Sequence, residues 1–320
     1  MKNKYLEDFL SYLEVEKNRN ANTIDNYRFY LTRFFDWVSQ SQKTKVFIKP
    51  QNINLPLIRN YRIYLNRLTT ADGEVLKKST QNYHLIALRS FLKFLAKQDV
   101  KSLASEKIEL AKMPDREVNF LDGDDLSRFL DAPVKNIGEN PKLGDLRDKA
   151  ILEMLFSTGL RVSELSKLRK EDLNFKRKKN GVIEFTVRGK GKKIRIVFLS
   201  ERAIFWVKEY LKRRVDVSPW MFIRMDKAAN NSINRDDEPM TPRSIQRLVE
   251  KYATLAGIAK QVTPHTLRHT FATDLLSNDA DIRSVQTMLG HSSITTTQVY
   301  THITDSHLRE TYKKHHNKKK

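Results

Sequence analysis

The chain has 320 residues, of which 39% are hydrophobic, and it contains no cysteine. This length allows two ordinary domains, each with its own core. The lack of cysteine excludes disulfides, thiolate metal sites and thiol nucleophiles. No apolar run approaches the roughly 20 residues of a membrane helix, and acidic residues near the amino end argue against a signal peptide. The composition predicts a cytoplasmic protein without a membrane partner.

The net charge of +21 is spread along the chain. Residues 1–104 hold 18 Lys or Arg against 9 Asp or Glu, so this part carries +9 and the remainder carries +12. Two basic parts favour a polyanionic partner, and double-stranded DNA held between two domains fits best. On charge alone, a solubility surface or a ribosome-associated protein stays open.

The first 104 residues predict four amphipathic helices, because their apolar residues recur at helical spacing. The first helix covers 4–17, and the second is capped by Asn22 or Thr23. The third covers 55–68, and the fourth begins at Ser79 or Thr80. Four such helices with polar connections predict a small helical bundle. The bundle forms the predicted first domain, residues 1–104.

Polar side chains at helix starts or on outer faces are candidates for contacts with phosphates or base edges. In this domain they are Lys17, Arg19, Asn22, Thr23, Arg28, Lys78, Thr80 and Arg89. The alternative for each of them is an ordinary solvated side chain.

The apolar period breaks at 105–118, which predicts an interdomain linker. Residues 119–304 then form the predicted second domain. Its first helix opens at Leu121–Asp122, and a long apolar helix over 147–158 ends at Gly159. Arg161 follows that turn, with Glu164 one helical turn later.

Residues 181–188 and 193–199 alternate and are rich in β-branched side chains, which predicts a β-hairpin. Lys190, Lys192 and Lys193 lie at its Gly-flanked tip, where a Lys can reach a DNA groove. The residues alone do not separate these three lysines. A helix over 201–215 and a short strand at 220–224 follow, and the role of the 225–239 loop stays open.

The stretch 263–302 concentrates groups that suit one phosphodiester. Thr263 is the predicted cap of a helix whose first turn carries His265 and Arg268. A short helix over 281–289 ends at Gly290, directly before His291. Tyr300 comes nine residues after that His. Cationic groups, imidazoles and a phenol without a carboxylate beside them favour an anionic substrate.

A zinc site at His265 and His269 is the alternative for this helix. The metalloprotease pattern requires Glu where Thr266 stands, and the sequence places no third ligand. The interpretation therefore includes no metal.

Five segments and one tyrosine carry a resemblance to the tyrosine recombinase, or phage integrase, family, and within it to the Xer-type recombinases. They are 17–37 (KNRNANTIDNYRFYLTRFFDW), 158–165 (TGLRVSEL), 189–193 (GKGKK), and the HTLRH and LGHSS motifs with the Tyr that follows. The resemblance implies a mainly α fold with a small β-sheet. A four-helix core-binding (SAM-like) domain and a mixed α/β catalytic domain would form a clamp around DNA.

The resemblance also implies the roles of individual residues. The catalytic set would be Arg161, Lys190, His265, Arg268, His291 and Tyr300. Tyr300 would be the nucleophile, Lys190 the general acid and Glu164 a supporting residue, while Lys192 and Lys193 would contact DNA. Of the three lysines at the hairpin tip, the resemblance alone selects Lys190.

The implied reaction is site-specific recombination through a 3′-phosphotyrosyl link and a Holliday junction, and it needs no cofactor. The family further implies a homo-tetramer on two DNA sites. Residues 305–320 are predicted to form a C-terminal helix, 305–313, able to dock on a neighbouring subunit, and a basic tail that is expected to be disordered. A hetero-tetramer with a paralogous recombinase stays open, as does the choice between chromosome partition and a mobile element. A nucleoid-associated protein is expected.

Two rivals remain. The same fold can act as a type IB-like topoisomerase, which nicks and reseals one duplex. A non-catalytic DNA-binding protein on the same scaffold is the second, although the complete catalytic set argues against it.

Overall fold

A computed structural model describes residues 3–41, 48–70, 72–113, 119–135, 141–176, 178–179, 181–189, 194–225 and 238–290, with the backbone alone at 178–179. The chain divides into two compact units, residues 1–115 and 116–320. Within the described residues, no helix is both long enough and apolar enough to cross a bilayer.

The first unit is a four-helix bundle, as predicted. Its helices are α1 (Lys4–Val15), α2 (Ala21–Ser41), α3 (Leu55–Arg67) and α4 (Lys78–Lys97). Their apolar faces meet in an aromatic core in which the rings of Phe34 and Tyr61 pack edge to face with centroids 5.0 Å apart. Burial of these large rings supplies much of the driving force for folding.

The start of α2 differs from the prediction. The Asn20 side chain accepts hydrogen bonds from the backbone N and the hydroxyl of Thr23, both at 2.9 Å. Asn20 is therefore the cap, and Asn22 and Thr23 lie in the first helical turn. The predicted start of α4 at Ser79 or Thr80 is also late, because that helix begins at Lys78.

Most of the segment predicted as a linker packs on the first unit. Ile108 is 1% exposed within the core of the bundle. The Asn82 side chain donates to the Ala111 carbonyl at 2.8 Å and accepts from its backbone N at 2.9 Å. The polar composition of 105–113 gives no sign of these contacts in the sequence. The division between the two units falls between residues 115 and 116.

The second unit combines helices with one small sheet. Its helices are α5 (Gly123–Asp131), α6 (Leu143–Thr158), α7 (Val162–Leu165), α8 (Glu201–Lys212), α9 (Pro242–Leu255), α10 (Pro264–Ser277) and α11 (Ile282–Leu289). Helix α6 is buried on most sides and packs against α8 and α10. It places its C-terminal end, Gly159, beside α10.

The sheet is antiparallel, in the order β1 (Lys178–Lys179), β2 (Val182–Arg188) and β3 (Ile194–Leu199). Arg188 pairs with Ile194 next to the hairpin tip, which confirms the predicted hairpin. The strand predicted at 220–224 does not form in this described segment. Isolated bridges join Arg169 to Trp220 and Ile223 to Pro239 instead.

The core of the second unit contains a buried ion pair. Lys149 is fully buried and donates to Glu153 at 2.6 Å, to Asp131 at 2.8 Å and to the Leu130 carbonyl at 2.8 Å. Its ammonium also lies 5.2 Å from the ring centroid of Trp206. Hydrogen bonding and pairing offset the cost of burying this charge.

Candidate active site

The turn between α6 and α7 positions Arg161. Gly159 ends α6 with φ +58, and a Cβ built there would lie 2.6 Å from a ring carbon of Phe271. Only glycine allows this left-handed turn so close to α10. Arg161 directly precedes α7 as its N-cap residue, so its guanidinium is held near the start of a helix.

Glu164 binds Arg161 twice, in the contact between neighbouring helical turns that the sequence predicts. One carboxylate oxygen accepts from the Arg161 backbone N at 2.9 Å, and the other accepts from its Nη1 at 3.0 Å. The Arg161 side chain is 28% exposed, whereas that of Glu164 is 7% exposed. The buried Glu164 carboxylate therefore holds the Arg161 guanidinium on its inner side and leaves the outer side of the guanidinium exposed.

Arg195 is a site residue that the sequence reasoning missed. Its Nη1 and Nη2 donate to the two Glu164 oxygens at 2.9 and 2.7 Å, and its Nε donates to the Met288 carbonyl at 2.9 Å. The available signal was its place in β3, where Arg195 is buried while Ile194 and Ile196 are exposed. A charged side chain at an inward-facing position of a strand requires a buried partner of opposite charge or a hydrogen-bond acceptor.

Glu164 stays ionised because of these donors. Burial alone would raise the pKa of its carboxyl group. Hydrogen bonds from the Arg195 side chain and from the backbone and side chain of Arg161, together with the charge of Arg195, outweigh burial and lower the pKa to about 2.

Arg268 lies in α10 and is buried, whereas His265, in the preceding turn, is exposed. The Nη1 of Arg268 donates to the Gly159 carbonyl and its Nη2 donates to the Leu289 carbonyl. The adjacent Gly290 carbonyl accepts from Arg161 Nη2 at 3.4 Å. Arg161 and Arg268 therefore both contact the turn at Leu289–Gly290, although they are distant in sequence.

Gly290 ends α11 with φ +65, as predicted, and a Cβ there would lie 2.8 Å from Arg195 Cδ. On another side of the site, a Cβ on Gly189 would lie 3.4 Å from Glu164 Oε1 and 3.6 Å from Arg161 Nη1. The residues after these two glycines, Lys190 and His291, lie outside the described residues. So do Tyr300, Lys192 and Lys193.

The DNA-contact candidates of the first unit occupy different surroundings. Lys17, Arg19 and Asn22 are exposed, with the Lys17 ammonium 5.5 Å from the ring centroid of Tyr12. Thr23 is half-buried and donates to the cap residue Asn20.

Two of the other candidates are engaged in local contacts. Arg28 forms an ion pair with Glu7 at 2.6 Å, and Lys78 donates to Asn66 Oδ1 at 2.7 Å. Thr80 and Arg89 are half-buried on α4. Whether these residues contact DNA stays a prediction.

The geometry suits an anion that gains charge during a reaction. Arg161 and Arg268 are held by backbone carbonyls, and Glu164 neutralises part of the charge from the inner side. Planar guanidinium groups match phosphate oxygens, and preorganised cations of this kind stabilise a charged transition state.

Comparisons with known proteins cover both units. The sequence pattern of the phage integrase family matches residues 119–307, and that of the phage integrase N-terminal SAM-like domain matches residues 6–99. The tyrosine recombinase XerC of Thermodesulfovibrio yellowstonii is 34% identical over 98% of this chain and 96% of its own length. The tyrosine recombinase XerD of Chlorobaculum tepidum is 36% identical, with the same coverage.

A solved structure agrees with the fold. The XerH site-specific recombinase, in a pre-cleavage complex with its difH substrate, superposes with a TM-score of 0.69 and 24% identity. The match covers 96% of this chain and 82% of that one. A helical bundle followed by a unit with clustered arginines, matched over almost the whole length by recombinase sequences, places this chain in the phage integrase family of tyrosine recombinases.

Proposed function

We propose that this protein is a site-specific tyrosine recombinase, which cleaves and rejoins DNA through a 3′-phosphotyrosyl intermediate and a Holliday junction. The observation that carries the proposal is the pair Arg161 and Arg268. These side chains come from distant segments and both donate to the turn at Leu289–Gly290, while Arg268 also binds the carbonyl of Gly159, two residues before Arg161.

The proposed cleavage step is a transesterification. The Tyr300 oxygen attacks phosphorus, the bond from phosphorus to the 5′ oxygen breaks, and a 3′-phosphotyrosyl ester forms. His265 takes the phenolic proton, and Lys190 gives a proton to the leaving 5′ oxygen.

The cationic residues carry the charge that develops at phosphorus. Arg161 and Arg268 bind its non-bridging oxygens, and His291 donates to the same oxygens. A second 5′-hydroxyl then attacks the tyrosyl ester and restores a phosphodiester. The ester retains the free energy of the original bond, so the reaction needs neither ATP nor a cofactor.

The finer assignments belong to this proposal. The first unit binds double-stranded DNA through the candidate residues that precede α2 or lie on α2 and α4, and the second unit binds the same duplex. The active assembly is a homo-tetramer on two sites, with a paralogous subunit as the alternative. Chromosome partition and a nucleoid-associated location follow if the client is the chromosome.

The first test uses Tyr300→Phe with sheared genomic DNA of the source organism. The wild type should form a covalent protein–DNA adduct on denaturing gels, and sequencing the trapped DNA identifies the target site. The Phe variant should bind the same DNA and form no adduct, because it has no nucleophilic oxygen. An adduct with the Phe variant would show that the nucleophile is misassigned.

An assay with two labelled duplexes that carry the recovered site distinguishes recombination from topoisomerase activity. A recombinase produces four-way junctions and exchanged products, whereas a topoisomerase changes only the supercoiling of one molecule. The relatives named above are recombinases and give the topoisomerase alternative no support.

A further inference from the structure

Arg195 joins three segments of the candidate active site. Its guanidinium binds both oxygens of Glu164 in α7, and its Nε binds the Met288 carbonyl near the end of α11. Its own strand, β3, forms the hairpin whose tip carries Lys190.

The fit around Arg195 is tight. Its side chain is 7% exposed, and the space where Gly290 would carry a Cβ is occupied by its Cδ. A Cβ on Gly189 would lie 3.2 Å from its Nη1. The two glycines that precede the proposed His291 and Lys190 therefore both pack on Arg195.

We propose that Arg195 is a positioning residue for strand cleavage. Through Glu164 it fixes the guanidinium of Arg161, and through the Met288 carbonyl it fixes the turn whose Gly290 carbonyl accepts from Arg161. Arg195 does not touch the DNA. The inference rests on the proposed function, because it assigns to Arg161 the role of binding the reacting phosphate.

Lysine cannot replace this side chain. The planar guanidinium of Arg195 makes two bonds to one carboxylate and a third bond from Nε, whereas a Lys offers a single nitrogen on a flexible stem. An Arg195→Lys variant keeps the charge and loses the geometry. A misplacement of about 1 Å at a catalytic group lowers a rate about 100-fold.

Arg214 provides a matched control for loss of buried contacts. It also grips one carboxylate, that of Asp216, with Nε and Nη2, and its Nη1 donates to the Trp220 and Met221 carbonyls at 2.8 Å. Its side chain is 1% exposed. Arg214→Lys therefore removes the same kind of contacts at partners in residues 216–221.

The principal experiment compares the wild type, Arg195→Lys and Arg214→Lys on a nicked duplex that carries the site recovered by trapping. With protein in excess, Arg195→Lys should lower the first-order rate of adduct formation about 100-fold at unchanged DNA affinity. Arg214→Lys should lose comparable stability and keep the wild-type rate. Equal rates for the wild type and Arg195→Lys, or an equal loss in both variants, would overturn the assignment.

A chemical substitution identifies the group through which Arg195 acts. Sulfur in place of the bridging 5′ oxygen leaves without a proton, so this substrate does not need the general acid at Lys190. The defect of Arg195→Lys should persist, because Arg161 acts on the non-bridging oxygens. If the sulfur substrate restores the wild-type rate, Arg195 acts on leaving-group protonation and the proposal is wrong.

A double variant tests the route through Glu164. If Arg195 acts through that carboxylate, Arg195→Lys combined with Glu164→Gln should be no slower than the slower single variant. Losses that multiply would exclude this route.

A crystal structure of Arg195→Lys decides the point without an activity measurement. The Arg161 guanidinium should leave the Gly290 carbonyl, and an unmoved Arg161 would overturn the inference. Absence of any Tyr300-dependent adduct from the wild type is a separate result, which counts against the proposed function.

Discussion

At the residue scale, Glu164 links charge to stability. Its pKa is lowered from an ordinary value of 4.5 to about 2, so it binds fewer protons in the folded protein than in the unfolded chain. Its contribution is complete above pH 4.5 and is lost as the pH falls towards 2. A shift of this size corresponds to on the order of 3 kcal/mol.

Glu164→Gln should therefore be less stable than the wild type at neutral pH, and the difference should shrink as the pH falls from 4.5 to 2. Urea unfolding at several pH values measures it, with Glu171→Gln as the control at a carboxylate whose side chain is 71% exposed. A difference that does not change with pH would contradict the assigned cause.

The site could be predicted only in part from the sequence. Arg161 and Arg268 stand in recognisable motifs, and Glu164 follows from its helical spacing to Arg161. Arg195 could not be found in this way, because its importance comes from contacts with residues 31 and 93 positions away. A local sequence pattern does not show such distant contacts. The one local sign is that Arg195 is charged at a position of β3 where an apolar side chain would be expected to face inwards.

At the element scale, the buried pair Lys149–Glu153 lies within α6 and connects it to its neighbours, because Lys149 also binds Asp131 at the end of α5 and Glu153 also pairs with Arg202 of α8. Lys149→Met should destabilise the second unit by about 3 kcal/mol, because it leaves the nearly buried Glu153 without its closest cation. Arg202, 2.7 Å from the same carboxylate, offsets part of this loss.

The double variant Lys149→Met with Glu153→Leu should regain part of that stability, since it removes both charges. Urea unfolding of the two variants provides the comparison. A double variant less stable than Lys149→Met would show that the pair itself is strongly stabilising.

Helices and the hairpin were predictable where periodicity is strong, and their ends were less so. Asn20, not Asn22 or Thr23, caps α2, because several adjacent polar residues can serve as a cap and only the backbone decides among them. The apolar residues at 220–224 indicated a strand, yet this segment forms single bridges instead of a ladder. An apolar run reports burial, and pairing partners are set by the tertiary fold.

At the scale of the whole molecule, the charge of +21 governs association with a polyanion. The affinity for duplex DNA should fall steeply with salt, by a slope of about 0.9 per phosphate contacted. Arg19→Gln should reduce that slope by about one, because Arg19 is a proposed phosphate contact at the exposed start of α2.

Lys212→Gln, an exposed residue at the end of α8, provides the matched control and should leave the slope unchanged. Fluorescence anisotropy at several salt concentrations measures both variants. An unchanged slope for Arg19→Gln would remove this residue from the proposed contacts.

The carbonyls of Leu289 and Gly290, which hold the two arginines, have a consequence during protein synthesis. The ribosome makes the amino-terminal bundle first, and domains generally fold in that order. A growing polypeptide can therefore bind DNA while its cleavage site still lacks the carbonyls that hold Arg161 and Arg268. Strand cleavage has to wait until synthesis has passed Gly290.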